Sequence, residues 1–332
     1  MPELPEVQTT VDGLSSRIIG LTITDVWTDY NSAFHTGKDS IKDPAFFAIF
    51  KKKIIGASVT RITRHAKNIL IHLSTGDTVL IHMKMTGHIL FGRYVFDKKS
   101  EAVEKDVWSP APDERVAFHD PFNRFIHFVI IFSTNGFVGK DPVLVLSDMR
   151  KFAKVTLVPA SEISKNEDAH TSAHLASIGP DALDPTLTFA LFKERLYTRP
   201  NGKIKTVLMD QSVLAGVGNI YSDEALWRTG LHPEELVKNI PDPRIKKLLV
   251  DTKKVLSKGI DFGGDSMSDY RNIDGERGRY QERHQAYRKT GSPCTFKGTR
   301  GEKICTGTIL RKVVGGRSAH FCSVHQRLIN KP

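Results

Sequence analysis

Cysteine is scarce in this chain, with three among 332 residues, all between positions 294 and 322. An odd count gathered near one end makes no disulfide framework and fits a reducing compartment. Long apolar runs are also missing. Phe128-Val129-Ile130-Ile131-Phe132 is only strand-sized, far short of a bilayer span, so no membrane partner is expected. No basic stretch followed by an apolar one opens the chain, so no secretory signal is expected. Internal repeats and low-complexity tracts are absent too. Negative charge is in deficit: 37 Asp and Glu stand against 48 Lys and Arg, for a net charge of +11 and a pI of about 9.5. Such a balance suggests a polyanionic partner, nucleic acid ahead of acidic membrane, with a scattered solubilising charge as the alternative. At 39% hydrophobic the chain can bury a sizeable core, and its length suits two or three domains.

Helical spacing places Val7, Val11, Leu14 and Ile18 on one face, and Gly20 can end that helix. From there to about residue 158 the pattern changes to strands. Ile69 to Leu73 and Val79 to Met83 flank the turn Ser74-Thr75-Gly76-Asp77. Phe125 to Phe132 and Val143 to Leu146 read as further strands, with Asn135-Gly136 as turn chemistry. Residues 97–121 read as a polar loop or insertion. The expected class is α+β and multidomain. Its expected parts are an N-terminal β-sandwich with flanking helices (1–158), a linker (159–172), a helical domain (173–289) and a small basic C-terminal module (290–332). In the helical domain Ile204, Val207, Leu208 and Gln211 share a helix face. A small-residue turn, Ser212 to Asn219, leads to a second helix, Ile220 to Arg228, with Gly230 as a stop. Two helices around a glycine-containing turn are a standard way of holding DNA. Gly216-Val217-Gly218-Asn219 is not a dinucleotide fingerprint, because no strand precedes it and a third glycine is missing. Residues 262–289, rich in Gly, Asp and Arg, are expected to form a mobile loop.

Chemistry concentrates at the start, Met1-Pro2-Glu3-Leu4-Pro5-Glu6-Val7. Removal of Met1, which a small second residue permits, exposes the secondary amine of Pro2 beside the carboxylate of Glu3. An α-amino group titrates at about 7.7–8.0, so a modest fall makes it a nucleophile able to form an iminium ion at a sugar carbon or carbonyl. A neighbouring acid can move the protons that this needs. An ordinary solvated N-terminus is the plainer reading of the same residues.

An ordered set of motifs adds to it. Arg64-His65-Ala66-Lys67, His82-Met83-Lys84-Met85-Thr86-Gly87 and Asp148-Met149-Arg150-Lys151-Phe152 occur in the first half. Ile178-Gly179-Pro180-Asp181, Leu208-Met209-Asp210-Gln211, Ala215 through Tyr221, and Gly315-Gly316-Arg317-Ser318 with Phe321-Cys322 follow. From residue 2 to about 327 the chain resembles the bacterial formamidopyrimidine-DNA glycosylases, bifunctional enzymes that remove oxidised purines in base excision repair. Leu4 resembles the purine-directed branch, where the endonuclease VIII-like branch usually carries glycine.

The resemblance implies roles. Pro2 attacks C1′ of the damaged nucleoside, Glu3 protonates the sugar ring oxygen, and β- and δ-elimination then cut the backbone as an AP lyase, with no redox cofactor. Lys67 lies in the active site, and Glu6 faces it, unless Glu6 only favours the helix dipole. A base inside a duplex must be flipped out to be reached. Met85, Arg150 and Phe152 fill the gap, although core burial is the commoner fate of Met and Phe. Lys151 stands where the family usually has a second arginine. Asn219, and less strongly Lys205 and Tyr287, contact phosphates. The implied partner is double-stranded DNA with oxidised bases, held in a basic cleft between the larger domains. The 262–289 loop covers the flipped base. The implied protein is a bacterial cytoplasmic, nucleoid-associated monomer.

The last module holds Cys294, Cys305, Cys322 and His325 at C-x10-C-x16-C-x2-H. The family's zinc finger has C-x2-C-x16-C-x2-C. The first gap is longer here, with Lys297 where a close second cysteine would lie, and histidine replaces the last cysteine. A Cys3His set can bind one structural Zn2+; a zincless β-hairpin is the alternative. Arg317 sits at the expected hairpin tip, where the resemblance has it reach DNA. Two other functions stay open on the sequence: an endonuclease VIII-like glycosylase for oxidised pyrimidines, and a non-catalytic damaged-DNA-binding protein. Retention of Pro2, Glu3 and Lys67 together argues against the second.

Overall fold

The structure is a computed structural model that describes residues 1–98, 107–133, 142–162, 172, 174–267, 269–297 and 304–329. The chain forms two compact units, residues 1–176 with 263–279, and residues 177–262 with 280–332. Among the described residues no helix is long and apolar enough to cross a membrane.

In the first unit, α1 (Leu4–Ile18) buries Val7, Val11, Leu14 and Ile18, the stripe read from the sequence, and Leu4 with them. It ends where Gly20 takes φ +88°, a conformation that favours glycine. Two four-stranded antiparallel sheets follow. One has the order β1 (Thr22–Thr28), β8 (Ile126–Ser133), β9 (Val143–Ser147), β5 (His88–Gly92); the other runs β10 (Lys154–Val158), β4 (Thr78–His82), β3 (Asn68–Leu73), β2 (Val59–His65). Ile69, Ile71, Val79, Ile81, Phe128, Ile130, Phe132, Leu144 and Leu146 meet in one core with α1. β3 and β4 are buried along their whole length up to His82, so they read as near-continuous apolar runs. Asn135-Gly136 lies outside the described residues.

Two elements depart from the expectation. Residues 44–54 form a helix, α2 (Pro44–Ile54), within what read as strand territory. Phe46, Phe47, Ile49 and Phe50 are strand-type residues, but Asp43 caps the helix by accepting from Ala45 N at 3.1 Å, and Pro44 favours its first turn. The region 97–121 is not only loop: β6 (Tyr94–Asp97) pairs with β7 (Val107–Pro110), and Phe96 and Trp108 pack at 4.9 Å beside Trp27.

Residues 263–279, part of the 262–289 stretch expected as a mobile loop, are pinned within the first unit. Phe91 N donates to Ile273 O at 2.9 Å, and Arg17 pairs with Asp274 at 2.7 Å. Ile273 enters the main core, against Gly13 of α1.

The second unit holds α3 (Phe189–Tyr197), α4 (Ile204–Met209), α5 (Asn219–Thr229) and α6 (Asp242–Asp261), then the hairpin β11 (Ile309–Val314) and β12 (Arg317–Cys322). α6 buries eight residues on one face, among them Ile245, Leu248, Leu249 and Leu256, and packs on α5. α5 stops at Gly230, φ +79°.

The 263–279 segment turns back on itself where Gly278 N donates to Ser266 Oγ at 2.9 Å. A Cβ at Gly278 would overlap the carbonyl oxygens of Gly263 and Gly264. We predict that Gly278→Ala costs about 1–3 kcal/mol, the usual range for overpacking. Hydrogen exchange should show the Phe91 amide losing protection while amides of α6 keep theirs; unchanged protection at Phe91 would refute this.

Candidate functional site

The first helical turn builds the N-terminal site. Glu3 is the N-cap of α1 and forms a capping box with Glu6. Glu6 Oε2 accepts from Glu3 N at 2.6 Å, and Glu6 Oε1 accepts from Asp265 N at 2.8 Å. The Glu6 carbonyl takes the Tyr270 hydroxyl at 3.0 Å. Glu6 is therefore clamped between the Pro2-Glu3 peptide and the 263–279 segment. Pro2, Glu3 and Glu6 are all buried, while Met1 is 40% exposed.

Lys67 lies in the two-residue turn between β2 and β3, closed by the His65–Asn68 pair, and is 5% exposed. Arg64 joins that turn to α1: its Nη1 donates to Ala66 O at 2.9 Å and its Nε to Gln8 Oε1 at 2.7 Å. His82, quoted in a motif but given no role, closes β4 opposite both Asn68 and Lys154. Its Nδ1 accepts from Lys84 N at 2.9 Å, so the ring presents Nε2–H. Burial, with Lys84 and Lys67 adding like charge, pushes its pKa down to about 3, so the ring is neutral. Only pairing register reveals this neighbourhood, since residues 67 and 82 are far apart in sequence.

Met85 is half-buried, whereas Arg150 and Phe152 are exposed and stack, guanidinium over ring, at 4.6 Å. Phe152 is 49% exposed, against the expectation for a core residue. Asp148, fully buried, joins the two loops that carry these residues. It accepts from the Thr86 hydroxyl and from Ala153 N at 2.7 Å, while Thr86 Oγ1 in turn accepts from Arg150 N at 3.1 Å. Lys151 Nζ turns to Asp29 at 3.1 Å.

Strain marks the same places. Among the described residues, four other than glycine have positive φ: Ala66, Lys84, Lys151 and Arg288, at 55–56°. Each is next in sequence to a residue singled out above: Lys67, Met85, Arg150 and Phe152, or Tyr287. Such conformations cost on the order of 1–3 kcal/mol and collect at functional sites.

In the second unit the turn between α4 and α5 is stapled from within. Gln211 accepts from Gly216 N at 3.0 Å and donates to Met209 O and Val217 O, both at 2.8 Å. Ile178-Gly179-Pro180-Asp181 braces it: Gly179 N donates to Gln211 O and Ala215 N to Pro180 O. Asn219 opens α5, with Nδ2 on Ser318 Oγ at 3.3 Å. Lys205 does not fit the expected phosphate contact. It is fully buried, and its ammonium donates to Asp223 at 2.6 Å, Ser222 at 3.1 Å and Asn219 O at 3.3 Å. A cation without its counter-ion is costly to bury, so the charge is held inward under the turn. Asp223 also accepts from His320 N and Nδ1, both at 2.9 Å, which ties β12 to α5. Tyr287 is half-buried against His320, with its backbone N on Glu224 at 2.9 Å. Glu224 accepts from Gln285 N and Ala286 N as well; burial nonetheless pushes its pKa up.

The hairpin tip is Gly315-Gly316, φ +57° and +75°, the two-residue turn whose twist matches its strands, and Arg317 stands exposed beside it. Below lie Cys294, Cys305, Cys322 and His325, with one donor atom from each all within 4.8 Å of one another. At the two ends of the long first gap, Cys305 N donates to Phe296 O at 2.9 Å and Lys297 pairs with Ile304. Cys305 Sγ and Cys322 Sγ stand 3.6 Å apart, and Cys294 Sγ is 3.4 Å from His325 Nδ1. Donors around a tetrahedral zinc are roughly 3.5–3.8 Å apart, so the set fits such an ion. His325 Nε2 meets Trp227 O at 3.0 Å, which leaves Nδ1 as a ligand.

Known proteins are similar along nearly the whole chain. Residues 1–155 match the formamidopyrimidine-DNA glycosylase N-terminal domain, and residues 178–271 match the formamidopyrimidine-DNA glycosylase H2TH domain. The formamidopyrimidine-DNA glycosylase of Heliobacterium modesticaldum is 33% identical over 97% of this chain and 98% of its own. That of Bacillus subtilis is 33% identical with the same two coverages. Among solved structures, the Lactococcus lactis enzyme bound to DNA containing an AP site is similar at a TM-score of 0.71, with 27% identity, 98% of this chain and 100% of that one covered. A MutM complex with DNA containing carbocyclic 8-oxo-G gives a TM-score of 0.73, 28% identity and the same coverages.

The depressed pKa of His82 makes a pH prediction. In the unfolded chain the ring takes a proton as pH falls through about 6.5, while the folded ring stays neutral down to about 3. Stability present above pH 6.5 is therefore lost on acidification through that window. We predict that His82→Gln makes the fall in stability between pH 6 and 4 shallower, measured by urea titration at each pH; an unaltered slope would refute the neutral buried ring.

Proposed function

The chain belongs to the formamidopyrimidine-DNA glycosylase family, and on that footing we propose how its own residues excise oxidised purines and cut the strand. With Met1 removed, the Pro2 amine attacks C1′ of the damaged nucleoside. The bond to the base breaks, and the base leaves with a proton. Glu3 gives a proton to the ring oxygen as the sugar opens, so the iminium forms at C1′. The iminium acidifies the C2′ proton. Its removal expels the 3′ phosphate, a second elimination expels the 5′ phosphate, and water releases the amine.

The observation that carries this reading is the clamp on Glu6. Both its carboxylate oxygens hold backbone, which fixes the Pro2-Glu3 peptide at the mouth of α1. Glu6 is thus a positioning residue. Lys67, on its strained turn braced by Arg64, supplies a cation for a phosphate beside the lesion, with neutral His82 as a donor next to it.

Base flipping leaves a hole in the duplex. Exposed Phe152 wedges there, Met85 follows it, and Arg150 faces the base left behind. Asn219, at the N-terminus of α5, and Arg317, at the hairpin tip, take backbone phosphates, and Tyr287 lies beside them in the second unit. Lys205 acts from beneath, by orienting the Asn219 turn. Segment 263–279, anchored on Glu6 through Asp265 and Tyr270, covers the flipped base. The first unit thus carries the chemistry and the second holds DNA. No second copy is needed, since one chain supplies every group, and the workplace is the DNA of the cytoplasm.

Zinc is the metal that the Cys3His set would hold. When bound, it fastens the ends of the finger and takes no part in the eliminations. The finger core is small, built on Trp227, Ala286, Cys294, Ile309 and Cys322, so metal would supply much of its stability.

Four experiments test this. Borohydride should trap a covalent complex between the Met1-processed protein and an 8-oxoguanine duplex, and Pro2→Gly with a blocked amine should not trap. Glu3→Gln should slow base excision by about 10²–10⁴-fold, the usual contribution of a positioned acid, with duplex affinity nearly unchanged. Equal trapping in the blocked protein would sink the nucleophile. Metal analysis of protein without a polyhistidine tag should find about one zinc per chain, lost in Cys322→Ser. Chelation should raise hydrogen exchange across β11 and β12 and spare the sandwich; full protection without metal would show that the finger folds alone.

A further inference from the structure

A pocket of about 490 Å³ in the first unit has no place in the scheme above. Its wall carries Lys38, Lys42, Lys84 and Lys154 against one carboxylate, Asp39, and Phe152 forms part of it. The lysines come from separate places in the chain: the stretch before α2, the loop after β4, and the start of β10. Tertiary structure has gathered them. Lys42 is 7% exposed, and its Nζ donates to Lys151 O at 2.5 Å. Lys154 Nζ lies 3.1 Å from His174 Nδ1. Among the described residues none of these four lysines forms an ion pair, unlike Lys51 with Asp25 or Lys151 with Asp29.

Crowded like charges without a counter-ion are unfavourable, the more so when partly buried. Burial, and then the charge of Lys84, holds both Lys42 and Lys154 below the usual ammonium range, against the pull of Asp148 and Asp39 respectively. His35 and His174 on the same wall are also held down, by burial first and by the lysines next, with Asp39 and Glu162 opposing at His174. An anion of compact, high charge relieves all of these at once. The shared wall of Phe152 says where it comes from. A duplex wedged at Phe152 carries backbone phosphates beside that step, and lysine is a point-charge partner for them.

We propose that this pocket seats one backbone phosphodiester of the DNA, next to the base step that Phe152 opens. The proposal rests on the reading of Phe152 as the wedge, and it adds a phosphate contact on the side of that residue formed by the stretch before α2 and by β10. Seating the phosphate fixes the strand against the wedge, so the pocket registers the duplex as well as attracting it.

The probe is a duplex with a tetrahydrofuran abasic analogue, in which single phosphates near the lesion are replaced one at a time by neutral methylphosphonate on either strand. Affinity is read by fluorescence anisotropy for the unaltered protein and for Lys38→Gln/Lys154→Gln. Lys38 is exposed and Lys154 half-buried, so folding is not at risk. One position should weaken the unaltered protein by roughly tenfold, the size of a lost charged hydrogen bond, and weaken the double variant less than about twofold. The variant's salt slope should be shallower by about 0.9. Equal penalties in both proteins at every position would overturn the proposal. So would coupling seen only at a strand end bearing a phosphate monoester, which would make this a terminal-phosphate pocket. Phe152→Ala on the same duplexes separates the two readings: unchanged affinity for the lesion duplex fails the wedge, whereas a loss in Phe152→Ala without lysine coupling fails only the pocket.

Discussion

The carboxylate of Glu6 is the constraint on which the first unit's site depends. It closes the capping box on Glu3, which starts α1 at a defined residue, and it accepts the Asp265 amide from a segment about 260 positions away in sequence. One short acid therefore sets where the first peptide lies and what lies over it. A helix N-terminus offers amide protons that need acceptors, and Glu3 and Glu6 supply them within the chain. The proposed nucleophile is thus held by its helix and is not left on a fraying terminus.

Buried carboxylates recur beneath the other exposed groups. Asp148 binds the loops of Met85 and of Arg150 and Phe152. Asp223 joins Lys205 to His320, and so α5 to the hairpin that carries Arg317. Glu224 gathers three successive amides, those of Gln285, Ala286 and Tyr287. A buried carboxylate bonded to several donors is costly to move, because any donor it releases is left unsatisfied. The strained residues Lys84, Lys151 and Arg288 stand in the segments that Asp148 and Glu224 hold, where the backbone is kept against local preference. Rigid support beneath and exposed donors above suit a surface that must meet a stiff duplex.

The Cys3His cluster gathers its donor atoms despite a changed spacing. On either side of the longer gap between Cys294 and Cys305, Lys297 pairs with Ile304 and Cys305 N donates to Phe296 O. Cys294 and Cys305 both bring their sulfurs into the cluster. The substitution of histidine for the last cysteine is matched by Trp227, whose carbonyl fixes the ring of His325 and whose indole N–H reaches Cys294 Sγ at 3.4 Å.

Much of this was legible in the chain itself. The helical period of apolar residues set α1, and strand-sized apolar runs set β3, β4, β8 and β9. The Pro2-Glu3 start, the small-residue turn before Asn219, the Gly315-Gly316 tip and the four sulfur and nitrogen ligands are local chemistry, and local chemistry is written in order. Helix α2 was hidden because its aromatic residues have strand preferences that only the Asp43 cap and packing override. Tertiary structure alone decided that Lys205 faces inward, that Phe152 faces outward, that residues 263–279 fasten to Glu6, and that His82 sits beside Lys67. It also gathered the four lysines of the pocket. Those outcomes depend on which strands pair, in which register and over which carboxylate, and such long-range contacts leave no periodic trace in a sequence.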